Sequence, residues 1–307
     1  YRLGLILTLV MLALVMIPGF GIRVNQSSRW LPLGGGIRFQ PSEVAKITVL
    51  VFLAGYICRD PVRTRKFWKG FVPAALGVGL LWGLILIEPD LGTSSFILGL
   101  GIILMMIAGM RWRYFLAPVA VFTPFLALFT YMRWDMIVHR FQGLLNPEGL
   151  HQLRHSLRAL GSGGLTGMGV GAGMQKLRYL PEAHTDFVFA VIGEEMGLVG
   201  CLCVIALFLV LLWSGVMIAR GAKDSFGYLL GAGIILSLGM QAAFNIAVVT
   251  ASAPTKGIPL PLVTFGGTGL CVTMAQIGIL LSIWRISQTT GPAYFSGVNK
   301  ADLAGAD

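Results

Sequence analysis

Long apolar runs separated by polar connections set the layout of this chain. The runs lie near residues 3–19, 42–58, 70–87, 91–109, 113–131, 187–214, 226–250 and 269–286. Each approaches or exceeds the roughly 20 residues an α-helix needs to cross a bilayer core. Together they predict an all-α, polytopic transmembrane helical bundle of about eight helices. Short connections carry Arg59, Arg63, Arg65, Lys66 and Lys69, then Arg111 and Arg113, then Arg220 and Lys223, and the last run ends at Arg285. These clusters fall on alternate turns, hence on one side, which the positive-inside rule makes cytoplasmic. Both ends of the chain are then expected inside.

The outer connections are 20–41, 88–90, 132–186 and 251–268. The third is too long for a plain turn. It contains Gly161-Ser-Gly-Gly-Leu-Thr-Gly-Met-Gly-Val-Gly-Ala-Gly173, a composition equally suited to close backbone approach and to a hinge. Residues 1–287 read as one membrane domain with 132–186 as a large extracytoplasmic loop. Residues 288–307 read as a polar, disordered C-terminal tail. The chain opens on Tyr1 inside an apolar run, so the native N-terminus is expected to lie further upstream.

Composition sharpens this picture. The 307 residues are 56% hydrophobic and 12% charged, against about 25% charged in soluble domains. The four cysteines, Cys58, Cys201, Cys203 and Cys271, all lie in or at the ends of apolar runs, which argues against a disulfide framework or a zinc site. The net charge of +10 is shared by both faces. The outer side carries Arg23, Arg29, Arg38, Lys46, Arg133, Arg140, Arg154, Arg158, Lys176, Arg178 and Lys256. An outer face this basic points to an anionic ligand, although long outer loops translocate whatever their charge. No nucleic acid partner is expected there.

Ionisable chemistry is densest at 176–197, which runs from Lys176 through Glu182, His184 and Asp186 to Glu194 and Glu195 before the chain turns wholly apolar. A charge in hydrocarbon costs roughly 2.5–3.5 kcal/mol on insertion scales, so such residues usually mark a site. By position Asp186 reads equally as a base and as a helix cap, a role open to Thr185 too. Glu194 and Glu195 lie about 12 Å deeper at 1.5 Å per residue. At least one should face the bundle and pair with a cation such as Lys46.

Four outer segments occur in a specific order. They are Arg29-Trp-Leu-Pro-Leu-Gly34 with Phe39-Gln-Pro-Ser-Glu-Val-Ala-Lys46; Glu88-Pro-Asp-Leu-Gly-Thr93; Tyr179-Leu-Pro-Glu-Ala-His-Thr-Asp-Phe187 with Gly193-Glu-Glu-Met-Gly197; and Pro254-Thr-Lys-Gly-Ile-Pro-Leu-Pro-Leu-Val-Thr-Phe-Gly-Gly267. In this order they resemble the SEDS family of bacterial cell-wall glycosyltransferases, which contains FtsW and RodA. The wording of the third and fourth segments is closer to the division (FtsW-like) branch than to the elongation (RodA-like) branch. Two departures stand out. Thr264-Phe-Gly-Gly-Thr268 replaces a common Ser-Tyr-Gly-Gly-Ser, and His151-Gln152 replaces a common Tyr-Gln.

The resemblance implies a ten-helix fold of which this chain is the last eight. It implies peptidoglycan glycosyltransferase activity, polymerising lipid II at the outer face of the inner membrane at the division septum. Asp186 matches the family's catalytic Asp and would be the general base. Substrate contacts would come from Lys46, Arg29, Trp30, Arg38, Arg140, Arg158, Lys176, Lys256, Glu182, His184 and Thr264, with Glu194 and Glu195 in structural or tuning roles. Cations suit a diphosphate. A divalent cation, Mg2+ or Mn2+, would suit the same group, although no dedicated ligand cluster is visible. Implied partners are a class B penicillin-binding protein (an FtsI-like transpeptidase) and divisome proteins such as FtsQ, FtsL and FtsB. The rival readings are a lipid II flippase, which should show broken helices near the bilayer midplane, a RodA-type elongation polymerase, and a passive scaffold.

Overall fold

In the computed structural model, residues 1–24, 27–32, 38–132, 134, 138, 151–174, 185–254, 257–264 and 266–289 are described. The helices among them are α1 (Arg2–Met16), α2 (Pro41–Cys58), α3 (Val72–Ile87), α4 (Leu91–Ile107), α5 (Leu116–Met132), α6 (His151–Gly163), α7 (Val188–Arg220), α8 (Ser225–Val249) and α9 (Gly267–Thr289). Each apolar run of the sequence is a helix. Among the described residues, five segments are long and apolar enough to cross a membrane: Pro41–Cys58, Phe67–Ile87, Val188–Arg220, Ser225–Val249 and Gly267–Thr289. The apolar α1 and α4 are shorter. The protein is a polytopic helical membrane bundle.

Two elements fall outside the apolar-run reading. The first outer connection folds into a small antiparallel sheet, β1 (Ile22–Val24), β2 (Ser27–Pro32) and β3 (Arg38–Phe39), with β2 central. Trp30 pairs with Ile22, and Leu31 with Phe39. The long third connection contains α6, whose polar sequence hides it from a search for apolar runs. Its buried face carries Leu153, His155, Ser156 and Ala159, and it packs mainly on α7.

Local sequence explains the helix starts that matter for the site. Pro41 opens α2, where its missing N–H would have no partner anyway. Asp90 caps α4, its Oδ1 accepting from Thr93 N at 3.0 Å while its Oδ2 accepts from Thr93 Oγ1 at 2.9 Å. Thr268 ties the first connection to the last helix: its hydroxyl accepts from Gln40 N and donates to the Arg38 carbonyl, both at 3.2 Å.

The core has two parts. The larger is built from α1 to α4 with α8, around Leu12, Leu50, Leu53, Leu81, Leu100 and Ile234. The second, around Ala159, Phe187, Phe189, Ala242, Val249 and Leu260, joins α6, α7, α8 and the fourth loop. Lipid is as apolar as leucine, so helices here associate through packing and polar contacts rather than burial from water. Gly233 fits that rule: a Cβ there would lie 2.8 Å from Leu50 and 3.2 Å from Leu104, so the backbones approach only because it is glycine.

Helix α7 has 33 residues, about 50 Å at 1.5 Å per residue. It is two helices. Gly197 breaks it with φ 66° and ψ −163°, a region essentially reserved for glycine. Leu198–Arg220 still exceeds the roughly 20 residues a crossing requires. The preceding piece, Val188–Met196, is therefore free to stand at the membrane boundary, with Asp186 just before its first turn and Glu194 and Glu195 at its far end.

Candidate active site

Three groups of polar residues gather at the outer ends of the helices. The first lies inside the bundle. Lys46 is 3% exposed, and its Nζ lies 2.7 Å from Glu43 Oε1 and donates to Gln241 Oε1 at 2.9 Å. It also sits over the Phe96 ring, 5.5 Å from the centroid. Gln241 Nε2 donates to the Ser237 carbonyl and hydroxyl at 3.4 Å, and Gln276 Nε2 reaches the same hydroxyl at 3.3 Å. Lys46 is thus paired with Glu43, not with Glu194 or Glu195 as the sequence suggested. Glu43 precedes it by one helical turn and needs no long-range contact.

The second group surrounds Asp186. The N-cap residue of α7 is Phe187, which has no side chain able to cap; Asp186 therefore lies one residue before the cap position. Asn245 Nδ2 donates to the Asp186 carbonyl at 2.8 Å and to the Ile258 carbonyl at 2.9 Å. Thr264 Oγ1 donates to the Thr185 carbonyl at 3.2 Å. A Cβ on Gly257 would lie 2.8 Å from Asp186 Oδ2. The carboxylate therefore rests against the backbone of the fourth loop. A small cavity of about 20 Å³ lies nearby, lined by Glu43, Gln241, Pro259, Leu260, Thr264 and Thr273 among others. Asp186 does not line that pocket, but Thr264 belongs to both.

The third group is the helix break. Glu194 Oε1 accepts from Met174 N, and Glu195 Oε2 accepts from Gly171 N, both at 2.9 Å. The backbone groups orphaned at the break are also used. The Glu194 and Glu195 carbonyls accept from Met168 N and Gly169 N at 3.0 Å, while Leu198 N and Val199 N donate to the Gly164 and Leu165 carbonyls at 2.9 and 3.2 Å. The glycine-rich segment is a splint across α7. Of the two readings open in the sequence, close backbone approach is the one found.

The other candidate residues divide. Arg29 holds the turn after α3: its guanidinium donates to the Glu88 and Pro89 carbonyls at 3.4 and 2.8 Å and lies 3.9 Å from Asp90 Oδ2. Trp30 is half-buried on β2, and Arg38 and Arg158 are exposed. Lys176, Glu182, His184, Arg140 and Lys256 lie outside the described residues, as does the tail beyond Thr289. Among the described residues no three His, Cys, Asp or Glu side chains come together. They offer no cradle for the Mg2+ or Mn2+ expected above. Glu88, just beyond α3, is buried, and burial pushes its carboxyl up to about 8; the Asp90 charge adds to this and Arg29 opposes it.

Glu43, Gln241, Ser237, Asn245 and Gln276 were not singled out from the sequence. The signal was there. Ser237, Gln241 and Asn245 recur every four residues on an otherwise apolar helix, which stacks them on one face.

This geometry can be set beside known proteins. A family model described as Cell cycle protein (FtsW, RodA, SpoVE) matches residues 1–289. The chain belongs to the FtsW/RodA/SpoVE family. The probable peptidoglycan glycosyltransferase FtsW of Geobacter metallireducens is 40% identical over 280 residues, covering 90% of this chain and 74% of that protein. Stage V sporulation protein E of Bacillus subtilis is 37% identical over 297 residues, covering 94% and 79%. Among solved structures, a chain from a peptidoglycan synthase complex described as coordinating polymerization and crosslinking aligns with TM-score 0.73 at 27% identity, covering 94% of this chain and 82% of that one. The rod shape determining protein RodA of Thermus thermophilus aligns with TM-score 0.66 at 27% identity, covering 94% and 78%. The described residues of the four segments meet at one end of α2, α4, α7 and α9, through Arg29 with the 88–90 turn, Thr264 with Thr185, and Thr268 with Arg38 and Gln40.

Proposed function

We propose that this family member is a peptidoglycan glycosyltransferase that polymerises lipid II, with Asp186 as its general base. The observation that carries the assignment of the base is the seat of Asp186. It is a carboxylate at the mouth of a membrane helix, set against a loop whose backbone it could not approach if Gly257 bore a side chain. The 4-hydroxyl of one sugar attacks the anomeric carbon of another. The C1–O4 bond forms, the bond from C1 to the diphosphate oxygen breaks, and Asp186 takes the hydroxyl proton. One displacement on an α-diphosphate gives a β-linkage, so a single carboxylate suffices, unlike the carboxylate pair of glycosidases. The diphosphate leaves unprotonated and needs positive charge. Arg38, Arg140, Arg158, Lys176 and Lys256 are the residues we assign to it, because Arg29 and Lys46 already hold protein partners.

The same reading makes the protein an inner-membrane enzyme of the division septum. It would work with a class B penicillin-binding protein of the FtsI type and with FtsQ, FtsL and FtsB. Rescue of division, rather than elongation, in cells depleted of each relative tests the branch. The flippase reading draws on one observation, the broken helix at Gly197. Against it, the backbone groups on both sides of that break are filled by the chain itself.

The test is polymerisation of lipid II by the full-length protein with its class B partner. Asp186→Asn should lose activity by roughly 100-fold or more while retaining fold and partner binding. Equal product from both would remove Asp186 as the base. Lipid II crossing vesicle membranes without product from either would favour the flippase.

A further inference from the structure

Asn245 makes two hydrogen bonds that the chemistry above does not use. It is 2% exposed on α8, one turn beyond Gln241. Its two amide protons go to the carbonyls of Asp186 and Ile258. These carbonyls belong to separate stretches of chain, the entry to α7 and the fourth loop. Two carbonyl oxygens at 2.8 and 2.9 Å leave one orientation for the carboxamide, because its oxygen in that place would face two acceptors. The remaining Oδ1 is buried with no hydrogen-bond partner among the described residues. A buried acceptor left unpaired is unfavourable, so the benefit of this residue lies in its two donors.

What those donors hold together is the seat of the base. Thr264 adds a third stitch, to the Thr185 carbonyl, and the Asp186 carboxylate lies where a Gly257 side chain would have to be. The direction of that carboxylate is therefore set by the register between residues 185–186 and the 257–264 loop. That register depends on a side chain from a third element.

We infer that Asn245 is a positioning residue for the transfer reaction: it clamps the Asp186 backbone to the fourth loop and so aims the carboxylate, without touching substrate. The inference rests on the reading of Asp186 as the base. Its physical basis is the short range of proton abstraction. A base works within about 2.6–3.2 Å of the hydroxyl, and a misplacement of about 1 Å can cost on the order of 100-fold in rate.

The experiment uses full-length protein with its class B partner, assayed with lipid II across pH. Asn245→Ala removes both donors. Its kcat should fall roughly 10- to 100-fold with KM for lipid II nearly unchanged. Asn245→Asp, close to isosteric, is the deciding variant. Ionised, it presents only acceptors to two carbonyls; protonated, it regains one donor. Protonation restores that donor, so the activity of Asn245→Asp relative to native protein should rise as pH falls from 8 to 6. Packing alone predicts a ratio that does not change with pH, and each pH comparison uses one protein preparation, so the test survives a poorly folding alanine variant. A flat ratio, a native kcat in Asn245→Ala, or a loss confined to KM would overturn the clamp. Asp186→Asn measured alongside separates the two ideas. If it is inactive while the Asn245→Asp ratio is flat, only the clamp fails. If it is active, the base reading fails, and the clamp has nothing to aim.

Discussion

Gly197→Ala should be among the most damaging single-methyl additions in this protein, and its cost follows from the geometry of the break. The position has φ 66° and ψ −163°, and holding a non-glycine residue in such a region costs about 1–3 kcal/mol. The new Cβ would also lie 2.5 Å from Gly167 N and from the Leu165 carbonyl oxygen. Both are backbone atoms and cannot rotate away, so the splint must lift. Lifting it breaks the four backbone hydrogen bonds that join Gly164, Leu165, Met168 and Gly169 to the two ends of the broken helix, at about 1 kcal/mol net each. The total is on the order of 5 kcal/mol. SDS titration of the purified full-length protein in mixed micelles, followed by tryptophan fluorescence, would measure it. Gly164→Ala is the control: φ is 54° there but a Cβ meets nothing within 4 Å, so only about 1–2 kcal/mol is expected. If Gly197→Ala unfolds no more easily than Gly164→Ala, the splint does not hold the break and the argument is wrong.

Two further predictions concern the buried charges. Lys46→Met leaves Glu43 buried without its cation and should destabilise by about 3–5 kcal/mol, while adding Glu43→Gln to the same chain should recover most of the loss; a double variant no more stable than the single one would refute the pairing. Glu88 is raised from 4.5 to about 8 in the folded protein, so between those values the fold holds a proton that the unfolded chain has released. Stability should therefore fall as pH rises through that window and level off above it. Glu88→Gln should flatten the slope, and an unchanged slope in the same titration would show that another group causes it.

Helix positions were largely legible from the sequence because hydrocarbon imposes length and apolarity together. The tertiary roles were not. Lys46 was visible as a charge that needed a partner, yet Glu43, one turn away, was passed over for the more conspicuous Glu194 and Glu195. Those two glutamates serve a helix break instead, which no periodicity announces because Gly197 sits within an apparently continuous pattern. Helix α6 was hidden for the opposite reason: its pattern is amphipathic rather than apolar, and it lies among turn-rich residues. Asp186 was found through its motif. Asn245, which decides where that residue sits, reads in sequence as one more amide on an apolar helix, and only folding reveals which two carbonyls it serves.

The Glu43–Lys46 pair has a consequence for biogenesis. Gln241 lies 195 residues downstream of Lys46, and Gln276 later still, so neither has been synthesised when α2 leaves the ribosome. Glu43 has, and it lies one helical turn away. Because the two charges cancel within a single helix, the insertion machinery receives a segment with no net charge, and α2 can enter the lipid before the helices that will complete its polar contacts exist.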